Sequence, residues 1–140
     1  MDAKQLVIDS VKNKLDSYME IVQTLYDNPE IGNEEFESMA LLVKHLEEAG
    51  FETESGYVVP TGFLGTYDTK KPGPTIAFMC EYDALPGMSQ EVGTEKKALE
   101  EGKPGHGCGH NLLGVSPLAT VLALKEGMDS EDEFKLVYYG

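Results

Sequence analysis

The chain has 140 residues, 41% of them hydrophobic and 26% charged, a size and composition that bury one core without disulfides. Its 25 acidic residues against 11 basic give a formal net charge of -14, a field that repels phosphate backbones and anionic headgroups, so nucleic acid and membrane surfaces are poor partners and cations good ones. No apolar run approaches the roughly 20 residues of a bilayer span, "MDAKQLVIDSVKNKLD" is charged throughout where a signal peptide is apolar, and two cysteines make no disulfide framework; a cytoplasmic protein is expected.

Over residues 4–26, Leu6, Val7, Val11, Leu15, Met19, Val22 and Leu25 fall mainly at three- and four-residue steps, which predicts one amphipathic helix. "DNPEIGNEEFES" ends it and starts a second, with Asn33 as the expected N-cap, Phe36, Met39, Ala40, Val43 and Leu46 at helical spacing, and Gly50 as the stop. From Phe51 the period changes: "FETESGYVV", "GFLGTYDT" and "TIAFMCEYD" read as three strands, and the apolar run over residues 76–80 predicts that the third is central.

The polar segment 89–104 predicts a surface excursion, with a short helix around residues 95–101. "NLLGVSPLATVLALKEGM" predicts a helix in which Ser116 and Pro117 are N-cap and first position, or Pro117 lies inside the first turns. "EFKLVYYG" closes the chain as a buried parallel strand, giving an α/β fold.

Two clusters carry chemistry. In "GHGCGHN", Cys108 and His110 offer the thiolate sulfur and imidazole nitrogen that zinc takes, glycines free the backbone to aim both, and a helix starting after His110 favours the Cys108 thiolate. His106 is a third candidate facing metal, substrate or water. The plainer alternative is a glycine loop that only turns the chain. In "FMCEYDALPG", Glu81 and Asp83 stand two apart at a strand's carboxyl end, on one side if the strand alternates, where they bind a cation or hold a ligating imidazole; otherwise they are a solvated strand end. Cys80 points the other way as a core thiol, and His45 in "LLVKHLEE" reads as a surface residue.

Four stretches together, "LYDNPEIGNEEFES", "TGFLGTYD", "EYDALPGMSQ" and "GHGCGHNLLG", resemble the M20 family of metallopeptidases and amidohydrolases, in its aminoacylase-like branch, and the spacer before "GHGCGHN" is similar to that of the p-aminobenzoyl-glutamate hydrolase type. The resemblance implies a three-layer α/β/α zinc-peptidase-like catalytic domain with a mixed sheet, of which residues 1–140 are the amino-terminal part, the lid and dimerisation domain lying beyond. It implies two divalent metal ions, zinc or manganese with cobalt or nickel also compatible, and Cys108 and His110 as ligands. Asp83 matches the acid that orients the site. Glu81 stands where other branches carry a ligating histidine, and His106 at a variable position, so both are possible additional site residues without an assigned role.

The implied activity is hydrolysis of N-acyl or N-aroyl amino acids or dipeptide-like amides by a homo-oligomeric enzyme. The general base and the remaining ligands would follow Gly140, so the 140 residues alone are expected to be inactive. Two other classes stand beside this one: a thiol hydrolase with Cys108 as nucleophile and His110 or His106 as base, and a non-catalytic α/β binding module.

Overall fold

A computed structural model describes residues 2–128 and 132–140. The apolar stripe expected to form one helix forms two, α1 (Ala3–Asn13) and α2 (Leu15–Asp27), because the chain leaves helical geometry at Lys14 (φ -110°, ψ 9°). No residue of α1 is fully buried, whereas α2 buries Tyr18, Ile21, Val22 and Leu25; Leu15 and Met19 stay exposed. The break turns the buried stripe of α2 away from the line that the spacing predicts.

Helix α3 (Phe36–Glu48) starts differently from expectation. Asn33 adopts φ 68° in a turn, and the N-cap position of α3 falls to Glu35 instead. The capping itself comes from the carboxylate of Glu30: it accepts from the N–H groups of Glu37 (3.1 Å) and Ser38 (2.7 Å) and from the Ser38 hydroxyl (2.6 Å), satisfying amide donors that a helix start leaves open. At the other end Gly50 takes φ 82°, and the N–H groups of Gly50 and Phe51 bond the carbonyls of Glu47 and Leu46, as the stop signal predicts.

The strands β1 (Glu52–Ser55), β2 (Phe63–Asp68), β3 (Thr75–Met79) and β4 (Lys135–Tyr139) form a mixed sheet in the order β1-β2-β4-β3. β4 runs parallel to β3 and antiparallel to β2. The expectation that β3 is central is therefore corrected: β4 occupies the middle, and β3 is an edge strand among the described residues, with Met79 80% exposed. Thr75, Ile76, Ala77 and Met79 are exposed and only Phe78 is half-buried, so among the described residues little covers the faces of this apolar run.

Helix α4 (His110–Gly127) packs on the sheet and carries α1 and α2 on its outer side, while α3 covers β1 and β2. Pro117 sits inside α4, one of the two expected arrangements. The small-residue helix buries Gly114, Val115, Leu118, Ala119, Val121 and Ala123 into a core shared with Leu25, Leu42, Leu46, Phe63, Leu136 and Tyr138.

The helix expected around residues 95–101 does not form; segment 89–104 is an irregular loop. The Gln90 side chain substitutes for helical hydrogen bonding, donating to the carbonyls of Glu91 and Glu95 and accepting from Lys97 N–H. A bridge between Leu85 and Gly105 closes the neck of the loop and returns the chain to the end of β3. No helix among the described residues is long and apolar enough to cross a membrane.

Candidate metal centre

Past Met79 the chain keeps strand alternation for four more residues, beginning with Cys80 N–H bonded to the Tyr139 carbonyl. Cys80 and Tyr82 are buried, and Glu81 and Asp83 face the other way. Burial pushes the Cys80 thiol up to about 12, so it is an inert core sulfur. The Tyr82 phenol is also held above its ordinary range, first by burial and then by Cys80, Glu35, Glu30 and Asp83, and its hydroxyl donates to the Thr61 carbonyl.

Helix α4 delivers the third group. Gly109 takes φ 76° just before it, and Gly114 lets it approach the strand end so closely that a Cβ there would lie 3.1 Å from the Tyr82 Cβ. One turn before Gly114, His110 stands over the two carboxylates. Its Nδ1 is 2.6 Å from Asp83 Oδ1 and its Nε2 is 2.9 Å from Glu81 Oε2. The imidazole is largely buried, the Glu81 side chain 61% exposed.

Carboxylates only accept, so Nδ1–H donating to Asp83 leaves Nε2 of a neutral imidazole with a lone pair facing another acceptor. Such a pair is stable with a proton or a cation between Nε2 and Glu81. One ligand atom from each of Glu81, Asp83 and His110 lies within 4.8 Å of the others, a nitrogen and oxygen set that suits a divalent ion, with Asp83 fixing the tautomer. On that donor chemistry the residues fit the metal that the sequence implies.

The other candidates lie apart from this group. Cys108 is exposed and lines an apolar groove with Val11, Leu15, Tyr18, Met19 and Leu112; the group of three does not include it. His106 turns inward, its Nε2–H donating to the Leu25 carbonyl at 3.0 Å, and burial lowers its pKa. It ties the loop to α2. Its Nδ1 is buried without a hydrogen-bond partner among the described residues. His45 lies beside Glu48 on α3, as read from the sequence. Glu35, which the sequence did not single out, is buried close to Asp83; a lone acid in a charged run gives no signal of that placement.

A sheet that presents two carboxylates and an imidazole at a strand's carboxyl end belongs with α/β domains that build ligand sites at this edge. No family model matches the chain. It is 35% identical over 139 residues to a subunit of the p-aminobenzoyl-glutamate hydrolase of Escherichia coli, a match covering 97% of this chain and 28% of the relative. Thermostable carboxypeptidase 2 of Saccharolobus solfataricus is 32% identical over 99% of this chain and 35% of its own length. The crystal structure of an aminohydrolase from methicillin-resistant Staphylococcus aureus superposes with a TM-score of 0.81 at 28% identity, covering 99% of this chain and 34% of that one. A dinuclear metal-binding M20 peptidase of Bacillus subtilis shares the fold, with a TM-score of 0.72 at 22% identity over 91% of this chain and 35% of its own. The chain belongs to the M20 family of metallopeptidases and amidohydrolases. It spans about a third or less of the length of these relatives.

Proposed function

We propose that the chain is the amino-terminal part of the catalytic domain of a metal-dependent amidohydrolase, cleaving the amide bond of N-acyl or N-aroyl amino acids or dipeptide-like substrates. The carrying observation is His110, held by Asp83 through one ring nitrogen and presenting the other to Glu81. Relatives named for hydrolysis of p-aminobenzoyl-glutamate, N-acetyl-L-cysteine and IAA-amino acids support the substrate class.

In this reading His110 offers Nε2 to the metal and Asp83 keeps the proton on Nδ1. Glu81, more exposed, lies on the solvent side, where it can add an oxygen ligand. Cys108 is assigned as a ligand on the resemblance and on its place two residues before His110. The complete protein holds two divalent ions, zinc or manganese before cobalt or nickel, which when bound polarise the amide carbonyl and acidify a water molecule. The base that moves the proton to the leaving amine comes from outside these 140 residues, so the chain alone is inactive. Its two free cysteines suit a reducing cytoplasm, and the whole protein is a homo-oligomer.

The thiol-hydrolase reading has the weaker geometry: the unprotonated Nδ1 of His106 is buried whereas Cys108 is exposed, and both ring nitrogens of His110 face carboxylates. Plasma mass spectrometry of the full-length protein that contains these 140 residues, after dialysis against zinc or manganese, tests the proposal. Bound metal is expected, absent in His110→Ala and held roughly 10- to 100-fold more weakly in Asp83→Ala. No metal on the folded full-length protein would overturn the reading and leave thiol chemistry or a binding module.

A further inference from the structure

The spacer between the two halves of the site does more than connect them. Together with the end of α2, the loop of residues 89–104 and its neck enclose a cleft of about 250 Å³. Leu85, two residues past Asp83, exchanges both backbone hydrogen bonds with Gly105 (3.0 and 3.1 Å), and the Tyr26 hydroxyl reaches from α2 to the Gln90 carbonyl (2.8 Å). Within the loop, Ser89 donates its N–H to the Lys103 carbonyl (3.0 Å) and accepts from the Glu100 N–H through its Oγ (3.0 Å). The cleft is thus held in shape by hydrogen bonds where the sequence predicted a helix.

One wall of the cleft belongs to the segment that delivers the site. His106 and Gly107 line it immediately before Cys108, and the His106 ring is close enough to Asp83 and His110 to feel both charges. Tyr26, Met88 and Leu99 supply apolar surface. Met88 lies across Gly107, where an added Cβ would meet the Met88 Cε at 2.6 Å, so glycine there makes room for it. Met88 and Leu99 are 46% and 61% exposed and lie outside the hydrophobic core of the described residues, so their apolar surface serves the cleft and not the core.

Size and charge select what enters. An apolar cavity of about 150 Å³ already holds a benzene ring, so this one has room for a ring and a substituent. Asp27 and Glu100 line the cleft against the one ammonium of Lys103, in a chain of net charge -14, which disfavours the carboxylate half of an N-acyl amino acid and leaves the uncharged acyl half. An aromatic ring gains further from the Tyr26 ring and the Met88 sulfur. We propose that this cleft is the subsite for the acyl group of the substrate, shaped for an aroyl ring, with Met88 and Leu99 as specificity-determining residues. The scissile amide then lies at the Gly107 end, next to Cys108, and the anionic half of the substrate points away from the cleft.

This assignment rests on the amidohydrolase reading, and two measurements on the full-length, metal-loaded protein separate the two. In the first, kcat and KM are measured for the N-benzoyl and N-acetyl derivatives of glycine and of glutamate. Met88→Ala and Leu99→Ala are each expected to lower kcat/KM for the benzoyl substrate about tenfold or more, chiefly through KM, the effect of trimming an apolar pocket. The acetyl substrate is expected to stay within about twofold of wild type. Equal losses on both substrates, no loss on the benzoyl one, or an enzyme that takes only the acetyl derivative would overturn the assignment. The second measurement needs no turnover and decides if the protein hydrolyses none of the four. N-benzoylglycine is titrated to about 10 mM, above the ordinary KM range, into protein with methyl-labelled methionine, the Met88 signal being identified by its loss in Met88→Leu. A nuclear Overhauser contact from the benzoyl ring protons to the Met88 methyl is expected, and would keep the cleft as an aryl site while the hydrolase reading falls. Its absence would overturn the assignment.

Discussion

Cys80 and Cys108 are the same side chain in opposite surroundings, and their difference is the most direct check on how the strand end and the loop are built. Burial pushes the Cys80 thiol up to about 12, so almost none of it is thiolate near neutrality, while Cys108 is exposed before α4. Iodoacetamide at about pH 8 is expected to alkylate Cys108 and spare Cys80 until the chain is denatured, one label then two by intact mass. Two labels on the native chain would mean that the Cys80 side of the strand opens. This much was legible in the sequence, because a period of two places Cys80 opposite Glu81 and Asp83 whatever the fold around it. The role of His106 was not, since the carbonyl it bonds belongs to Leu25, 81 residues away.

At the level of elements, the start of α3 shows why capping is read unreliably from spacing. Asn33 stands where a cap belongs, but Glu30 reaches over the turn from the strand-side segment and takes the amides first. Glu30→Ala is therefore expected to cost about 1–2 kcal/mol in urea unfolding, the range of a lost N-cap. Asn33→Gly, at a position with φ 68°, is expected to be neutral or mildly stabilising, where loss of a true cap would destabilise. The same long reach hid two other features. Nothing in residues 4–26 marks the break at Lys14, as the apolar steps run through it without Gly or Pro. Likewise the run over residues 76–80 could not tell an edge from a centre, because strand order is decided by β4, far along the chain. The existence of α3, α4 and the three early strands was legible, being local patterning; their neighbours were a matter of tertiary choice.

For the whole molecule the governing quantity is the net charge of -14, spread over a small domain with few pairs to offset it. The ion pairs Lys14–Glu126 and Lys97–Glu91 are exposed, so each contributes little, while general repulsion among the carboxylates opposes compaction. Raising sodium chloride from about 0.02 M to about 0.5 M, which shortens the screening length from roughly 20 Å to under 5 Å, is expected to raise Tm. A fall would mean that the specific pairs outweigh the general field. The strand order has a consequence of another kind, for the history of each chain as it is made. β2 and β3 leave the ribosome as strands that do not pair with each other, and both wait for β4 to come between them. Until residues 135–139 arrive, the nascent chain can form its hairpin and helices but not the strand pairing that anchors Cys80 to Tyr139, so the framework of the site is assembled late, by a segment contributing none of its three clustered side chains.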